Sequence, residues 1–129
     1  MSLPESKEQE LIFKWADLQS GLMPELKLLN GSLNGVKLSI GSAIKAKRQG
    51  LRKGYPDIAL PVARAGFNAL FIELKKADGG RLSKEQKEWL TALKKQGNFA
   101  VCAHGASKSI EIIKAYLRGD REALLRLIE

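Results

Sequence analysis

Three short apolar runs, at residues 57–60, 69–75 and 99–103, follow one another along the chain, and the two gaps between them differ in kind. Their lengths suit strands better than helices. The first gap, residues 61–68, is a plain connection containing Gly66, whereas the second holds the clearest helix pattern in the chain. Two successive strands with no helix between them suggest a hairpin, so the sheet should be mixed rather than purely parallel. The expected class is α/β, with a central sheet of three or four strands flanked by helices.

The helical segments follow from periodicity and caps. Residues 5–22 read as a first helix after Leu3-Pro4, with Leu11, Ile12, Trp15, Leu18 and Leu22 as its core stripe. Residues 25–29 are expected as a short strand, and 30–35 as a turn-rich loop. A short, very basic helix is predicted over 42–49, stopped by Gly50. Asp78-Gly79-Gly80 is a turn. In the helix over 83–95, Ser83 and Gln86 fit a capping box and Trp89, Leu90 and Leu93 form the apolar face. Ser107 is expected to cap a helix over 107–117, and Asp120 a last one reaching 128. No repeat, low-complexity stretch or linker interrupts the pattern, so residues 1–129 are read as one domain.

Composition narrows the partners. Twenty-two Lys and Arg against fourteen Asp and Glu give a formal charge of +8, which suits a polyanion because neutralised phosphates release counterions. No apolar run approaches the roughly 20 residues that span a bilayer. The opening ten residues are polar and lack a secretory pattern, so a location in the cytoplasm of a cell, or of an infected host, is expected. The single cysteine, Cys102, lies in an apolar run and reads as a small core residue.

The chemistry-bearing residues sit on two of the three runs. Asp57 follows Gly54-Tyr55-Pro56 directly, and Glu73 and Lys75 lie near the end of the next strand. Residues two apart point to one face, so Glu73, Lys75 and Phe71 project together, and Ile72 and Leu74 oppose them. Hairpin pairing brings Asp57 within reach of Glu73. Two carboxylates that close repel unless a divalent cation lies between them. A few hard oxygen ligands, with room for water and phosphate, suit Mg²⁺ or Mn²⁺. A neighbouring lysine can steady or deprotonate an attacking water and balance charge on a phosphate. The pattern points to phosphodiester hydrolysis. Glu-x-Lys alone is usually a solvated ion pair and Pro-Asp an ordinary turn. Glu73, however, lies in an otherwise apolar run, where a charge needs a reason.

Gly54-x-Pro56-Asp57 followed by Glu73-x-Lys75 resembles the PD-(D/E)xK nuclease signature and, more narrowly, the VRR-NUC family of virus-type replication-repair nucleases. The run Asp78-Gly79-Gly80-Arg81-Leu82-Ser83-Lys84-Glu85-Gln86-Lys87-Glu88-Trp89 is similar to that family's turn, Ser-x-x-Gln helix start and Trp. The resemblance implies a restriction-endonuclease-like fold and an Mg²⁺-dependent endonuclease, often of phage origin. It also implies branched DNA such as Holliday junctions as substrate and a homodimeric state. By the same resemblance Asp57, Glu73, Leu74 and a first-helix glutamate are metal-binding positions, and Lys75 and Gln86 complete the site.

Two glutamates compete for the first-helix place. Glu5, with Gln9 four residues on, matches the family's Glu-x-x-x-Gln spacing, whereas Glu8 occupies the apolar stripe where the family usually has an aliphatic residue. Gln86 either completes the capping box or reaches towards the site, and one side chain is not expected to do both. Lys45, Lys47, Arg48, Arg52 and Lys53 are the first choice for DNA backbone contacts, and Lys76 and Arg81 the second. Asn30 and Ser32 either line the cleft or belong to a plain turn, and His104 reads as a surface or loop residue. The competing reading is a nucleic-acid-binding domain of the same fold that does not cleave; a basic structural or partner-binding protein is a third.

Overall fold

The computed structural model describes residues 2–32 and 36–128, so the part of the expected loop formed by Leu33, Asn34 and Gly35 lies outside the described residues. Along the chain run α1 (Glu5–Gln19), a 3₁₀ turn (Pro24–Leu28), β1 (Asn30–Gly31), α2 (Ile40–Arg48), β2 (Ile58–Leu60) and β3 (Leu70–Lys75). Then come α3 (Lys84–Lys95), β4 (Phe99–His104), α4 (Ala106–Leu117) and α5 (Arg121–Leu127).

The strands form one four-stranded sheet in the order β1-β2-β3-β4. β1 and β3 both run antiparallel to β2, and β4 runs parallel to β3. The difference between the two gaps in the sequence is the cause: the short connection turns back on itself, and the longer one crosses over through α3.

Alternation along the strands sends Ile58, Leu60, Leu70, Ile72, Leu74, Val101 and Ala103 into one core, closed by Ile12 and Ala16 of α1 and by Ile112 and Ile113 of α4. Each of the leucine, isoleucine and valine side chains, fully buried, contributes about 1.5–3 kcal/mol of transfer free energy. Tyr116 of α4 is also buried, and its hydroxyl donates to Val62 O at 2.6 Å, which ties α4 to the β2–β3 connection.

Five sequence expectations are corrected. The stripe that α1 buries is Glu8, Ile12 and Ala16, while Leu18 and Leu22 are 73% and 83% exposed and Leu11 faces largely outward. The helix also stops at Gln19, so Leu22 lies in the turn beyond it. In place of the expected strand over 25–29, Pro24–Leu28 form a 3₁₀ turn, because Pro24 at its start sets φ for a turn, and Leu26 and Leu29 are buried. The basic helix begins at Ile40, capped by Ser39, whose hydroxyl accepts from Ser42 N. α4 begins at Ala106 after Gly105, so Ser107 sits inside its first turn and does not cap it.

Candidate active site

The loop that delivers Asp57 is held to α3 by close packing. Gly54 has φ +89°, and a Cβ there would meet the carbonyl carbon of Glu85 at 2.6 Å, so only glycine lets the loop lie on the helix. Tyr55 stands edge-on to Trp89 and Phe71, with ring centroids 5.1 and 6.1 Å away. Trp89 Nε1 donates to Lys53 O at 3.1 Å. Lys53 itself pairs with Glu85 at 3.2 Å, and this pairing is the leading cause holding the Glu85 carboxyl below its ordinary value. Pro56 is fully buried, so Asp57 leaves a rigid base.

The register of β2 against β3, Ile58 opposite Ile72, extends by one step to bring Asp57 opposite Glu73. Asp57 Oδ2 accepts from Leu74 N at 2.8 Å. Leu74 thus enters the site through its backbone amide. Glu73 is only 2% exposed and Lys75 7%, and Lys75 Nζ lies 3.8 Å from Glu73 Oε2. Burial is the largest cause pushing the Glu73 carboxyl up to about 9, followed by the hydrogen bond and charge of Asp57; Lys75 opposes the shift and Glu5 adds to it. The buried Glu73 carboxyl therefore favours its protonated form.

Gln86 does both jobs that seemed exclusive. Its Oε1 accepts from Ser83 N at 2.8 Å, and its backbone N donates to Ser83 Oγ at 3.1 Å, which completes the capping box. Its Nε2 donates to Glu73 Oε2 at 3.3 Å. A primary amide has a distinct acceptor end and donor end, so one end can serve the helix and the other the site.

The two candidate glutamates of α1 part company. Glu5 lines a cleft of about 520 Å³ with Gln9, Phe13, Ser32 and Asp57. Glu8 is buried on the core stripe, and its Oε2 would lie 3.0 Å from a Cβ on Gly105, at the positive end of α4. Glu5 therefore shares the cleft of Asp57, and Glu8 faces a helix terminus. Ser32 reaches the same cleft, its N donating to Asp57 O at 2.9 Å. Asn30 lies on β1, where its side-chain amide donates to Leu28 O and Ala59 O.

Lys45, Lys47 and Arg48 all lie in the last turn of α2, a helix with no buried residue. The Arg52 guanidinium reaches back to Lys47 O, while Lys76 and Arg81 are exposed around the turn after β3. Two residues of the site's face were missed in the sequence. Cys102 pairs with Glu73, and His104 with Lys75, across the parallel ladder. Cys102 is half-buried beside the acids, and burial is the main cause pushing its thiol up. Period-two alternation in β4 marks both, once its register with β3 is known. Among the described residues no three His, Cys, Asp or Glu side chains stand together as a ready metal cage.

A mixed sheet with a buried Asp–Glu–Lys group at its centre, and a helix amide donating into it, defines a nuclease-type α/β domain. The match to the family model of the VRR-NUC domain covers residues 3–107, and the chain belongs to that family. A solved structure described as a VRR_NUC domain protein is similar over 92% of both chains, with 29% identity and a TM-score of 0.76. No curated protein matches.

Proposed function

We propose that the protein is a divalent-metal-dependent DNA endonuclease that cuts branched DNA as a homodimer, in the cytoplasm of a bacterial or phage-infected cell. The observation that carries the reading is the buried Asp57–Glu73 pair beside Lys75, in a family whose domain is a nuclease domain. Evolution of a core does not need two adjacent acids; a reaction at a phosphate does.

The donor set fits Mg²⁺ or Mn²⁺. Burial raises the Glu73 carboxyl beside Asp57, and a cation bound there would compete with its proton. Mg²⁺ commonly takes one or two carboxylates and keeps several waters, so a three-acid cage is not required. Asp57 and Glu73 would hold the ion, with Glu5 a further acid lining the same cleft as Asp57. When bound, the ion supplies charge stabilisation on the phosphate and a more acidic water.

The chain's own groups do the rest. Leu74 N–H holds one oxygen of Asp57, and Gln86 Nε2 one of Glu73, so each carboxyl keeps a fixed direction. Lys75 supplies a buried ammonium that binds a phosphate oxygen or the attacking water. The last turn of α2 carries three cations suited to backbone phosphates. Leu11 and Leu18 of α1 and Leu22 beyond it are exposed apolar side chains available to a second copy, and two sites joined in a dimer would cut paired strands.

The competing reading is a DNA-binding domain of the same fold that does not cleave. The test is cleavage of labelled four-way junction, flap, single-stranded and linear duplex DNA with Mg²⁺, Mn²⁺ or EDTA. Metal-dependent nicking lost in Asp57→Ala and Lys75→Ala establishes the nuclease, and the preferred substrate settles the branched-DNA assignment. DNA binding without cleavage under any metal would instead establish the binding domain.

A further inference from the structure

His104 stands apart from the acid–lysine group but is tied to it through the turn that follows β3. Its Nδ1 lies 2.9 Å from Lys76 O and 3.1 Å from Gly79 O. Both partners are carbonyl oxygens, which only accept, so Nδ1 carries the hydrogen and donates to both. Within the turn itself the bond from Gly79 N to Lys76 O is long, at 3.5 Å. The imidazole therefore supplies the shorter bonds across it.

What the turn carries explains why this matters. Gly80, next in line and at φ +92°, lies against the aliphatic stem of Lys75: a Cβ there would be 3.2 Å from Lys75 Cδ and 3.5 Å from its Cβ. On the other side of the stem's root, Lys75 O accepts from Gly105 N at 2.9 Å, and His104 is the ladder partner of Lys75. The lysine is thus walled by a glycine whose place depends on the turn, and the turn is pinned from β4.

We propose that His104 is a positioning residue for Lys75, which through Nδ1–H holds the turn 76–79 so that Gly80 keeps the lysine stem directed towards Glu73. The inference rests on the nuclease reading of Lys75 and assigns His104 no contact with substrate. The geometry discriminates between two uncharged replacements. Asparagine places an amide nitrogen where Nδ1 lies, whereas glutamine carries it one bond further, nearer the position of Nε2.

The experiment compares wild type with His104→Ala, His104→Asn and His104→Gln. It measures single-turnover cleavage at saturating enzyme, DNA affinity in EDTA, and amide hydrogen exchange over residues 76–82. Small displacements of a reacting group are costly, so Ala and Gln should cut about tenfold more slowly. DNA affinity should be unchanged in all three, and Asn should restore most of the rate. Exchange should quicken in the Ala and Gln proteins and stay near wild type with Asn. Wild-type cleavage by His104→Ala, or equal behaviour of Asn and Gln, overturns the proposal. If wild type cuts no DNA, the nuclease reading fails; the exchange pattern then decides the clamp independently, and unchanged exchange in His104→Ala overturns it.

Discussion

The two faces of the sheet are made by the same strands and obey opposite physics. On one, Ile58, Leu60, Ile72, Leu74 and Ala103 are almost wholly out of water against α1 and α4. On the other, Asp57, Glu73 and Lys75 are nearly as buried but carry titratable groups. Burying the first set stabilises the fold directly. Burying the second costs solvation that the 3.8 Å Lys75–Glu73 contact and single hydrogen bonds only partly offset. One residue step along β3 therefore separates a side chain that supports the structure from one that the structure has to support. That is how function is expected to sit on a stable domain.

The largest effect should come from the polar face. Lys75→Ala or Asp57→Ala is expected to lower cleavage about 10³-fold, the scale of losing a preorganised electrostatic group, while leaving the unfolding midpoint within a few degrees. Both are read from single-turnover cleavage and thermal denaturation. Large destabilisation in these variants would break the contrast between the faces. The apolar face should respond the other way. Ile72→Ala, which opens a cavity in the core, should cost about 2–5 kcal/mol in chemical denaturation yet leave the rate per folded molecule near wild type.

The pH dependence sharpens the comparison. Glu73 is pushed up from its ordinary 4.5 to about 9, so the folded state holds the proton more tightly than the unfolded chain. The stability this provides is fully present below pH 4.5 and is lost as pH rises to about 9. In EDTA the unfolding midpoint should fall through that window, and Glu73→Gln should flatten the fall. Added Mg²⁺ should stabilise more as pH rises, because it competes with a departing proton. An equal Mg²⁺ effect at every pH would argue against the pair as the metal site.

A smaller effect separates the two ends of one amide. Gln86→Ala should cost about 1 kcal/mol through the lost cap and slow cleavage as well. Gln86→Glu should keep the cap, since a carboxylate still accepts from Ser83 N, while placing a further negative charge beside Glu73. Cleavage should then fall at nearly unchanged stability, as measured by the same two assays.

Much of this was legible in the chain because the signals are local. The capping box at Ser83 and Gln86 needs four consecutive residues, and the alternation of Phe71, Glu73 and Lys75 needs only a strand. The hairpin of β2 and β3 followed from the missing helix between them. Errors arose where a local pattern admits two three-dimensional answers. Leu11, Leu18 and Leu22 are as apolar as Ile12, yet only docking decides which side of α1 meets the sheet. The glutamate at position 8 can lie on the buried side because Gly105, opposite, has no side chain.

By itself the sequence determined the class of fold, the pairing of Asp57 with Glu73 and Lys75, and the family motif that joins them. The fold class rests on periods of 2 and 3.6 residues and on short-range caps, which the backbone reads without knowing its neighbours. The grouping of the three residues rests on the expected hairpin and on their resemblance to the family motif. Only the tertiary structure decided that Glu5 takes the cleft and Glu8 the end of α4, that Gln86 bridges cap and site, and that Cys102 and His104 join the polar face. Each of those depends on the register between elements far apart in the chain. Register is set by packing the whole apolar face at once, and no single segment contains it.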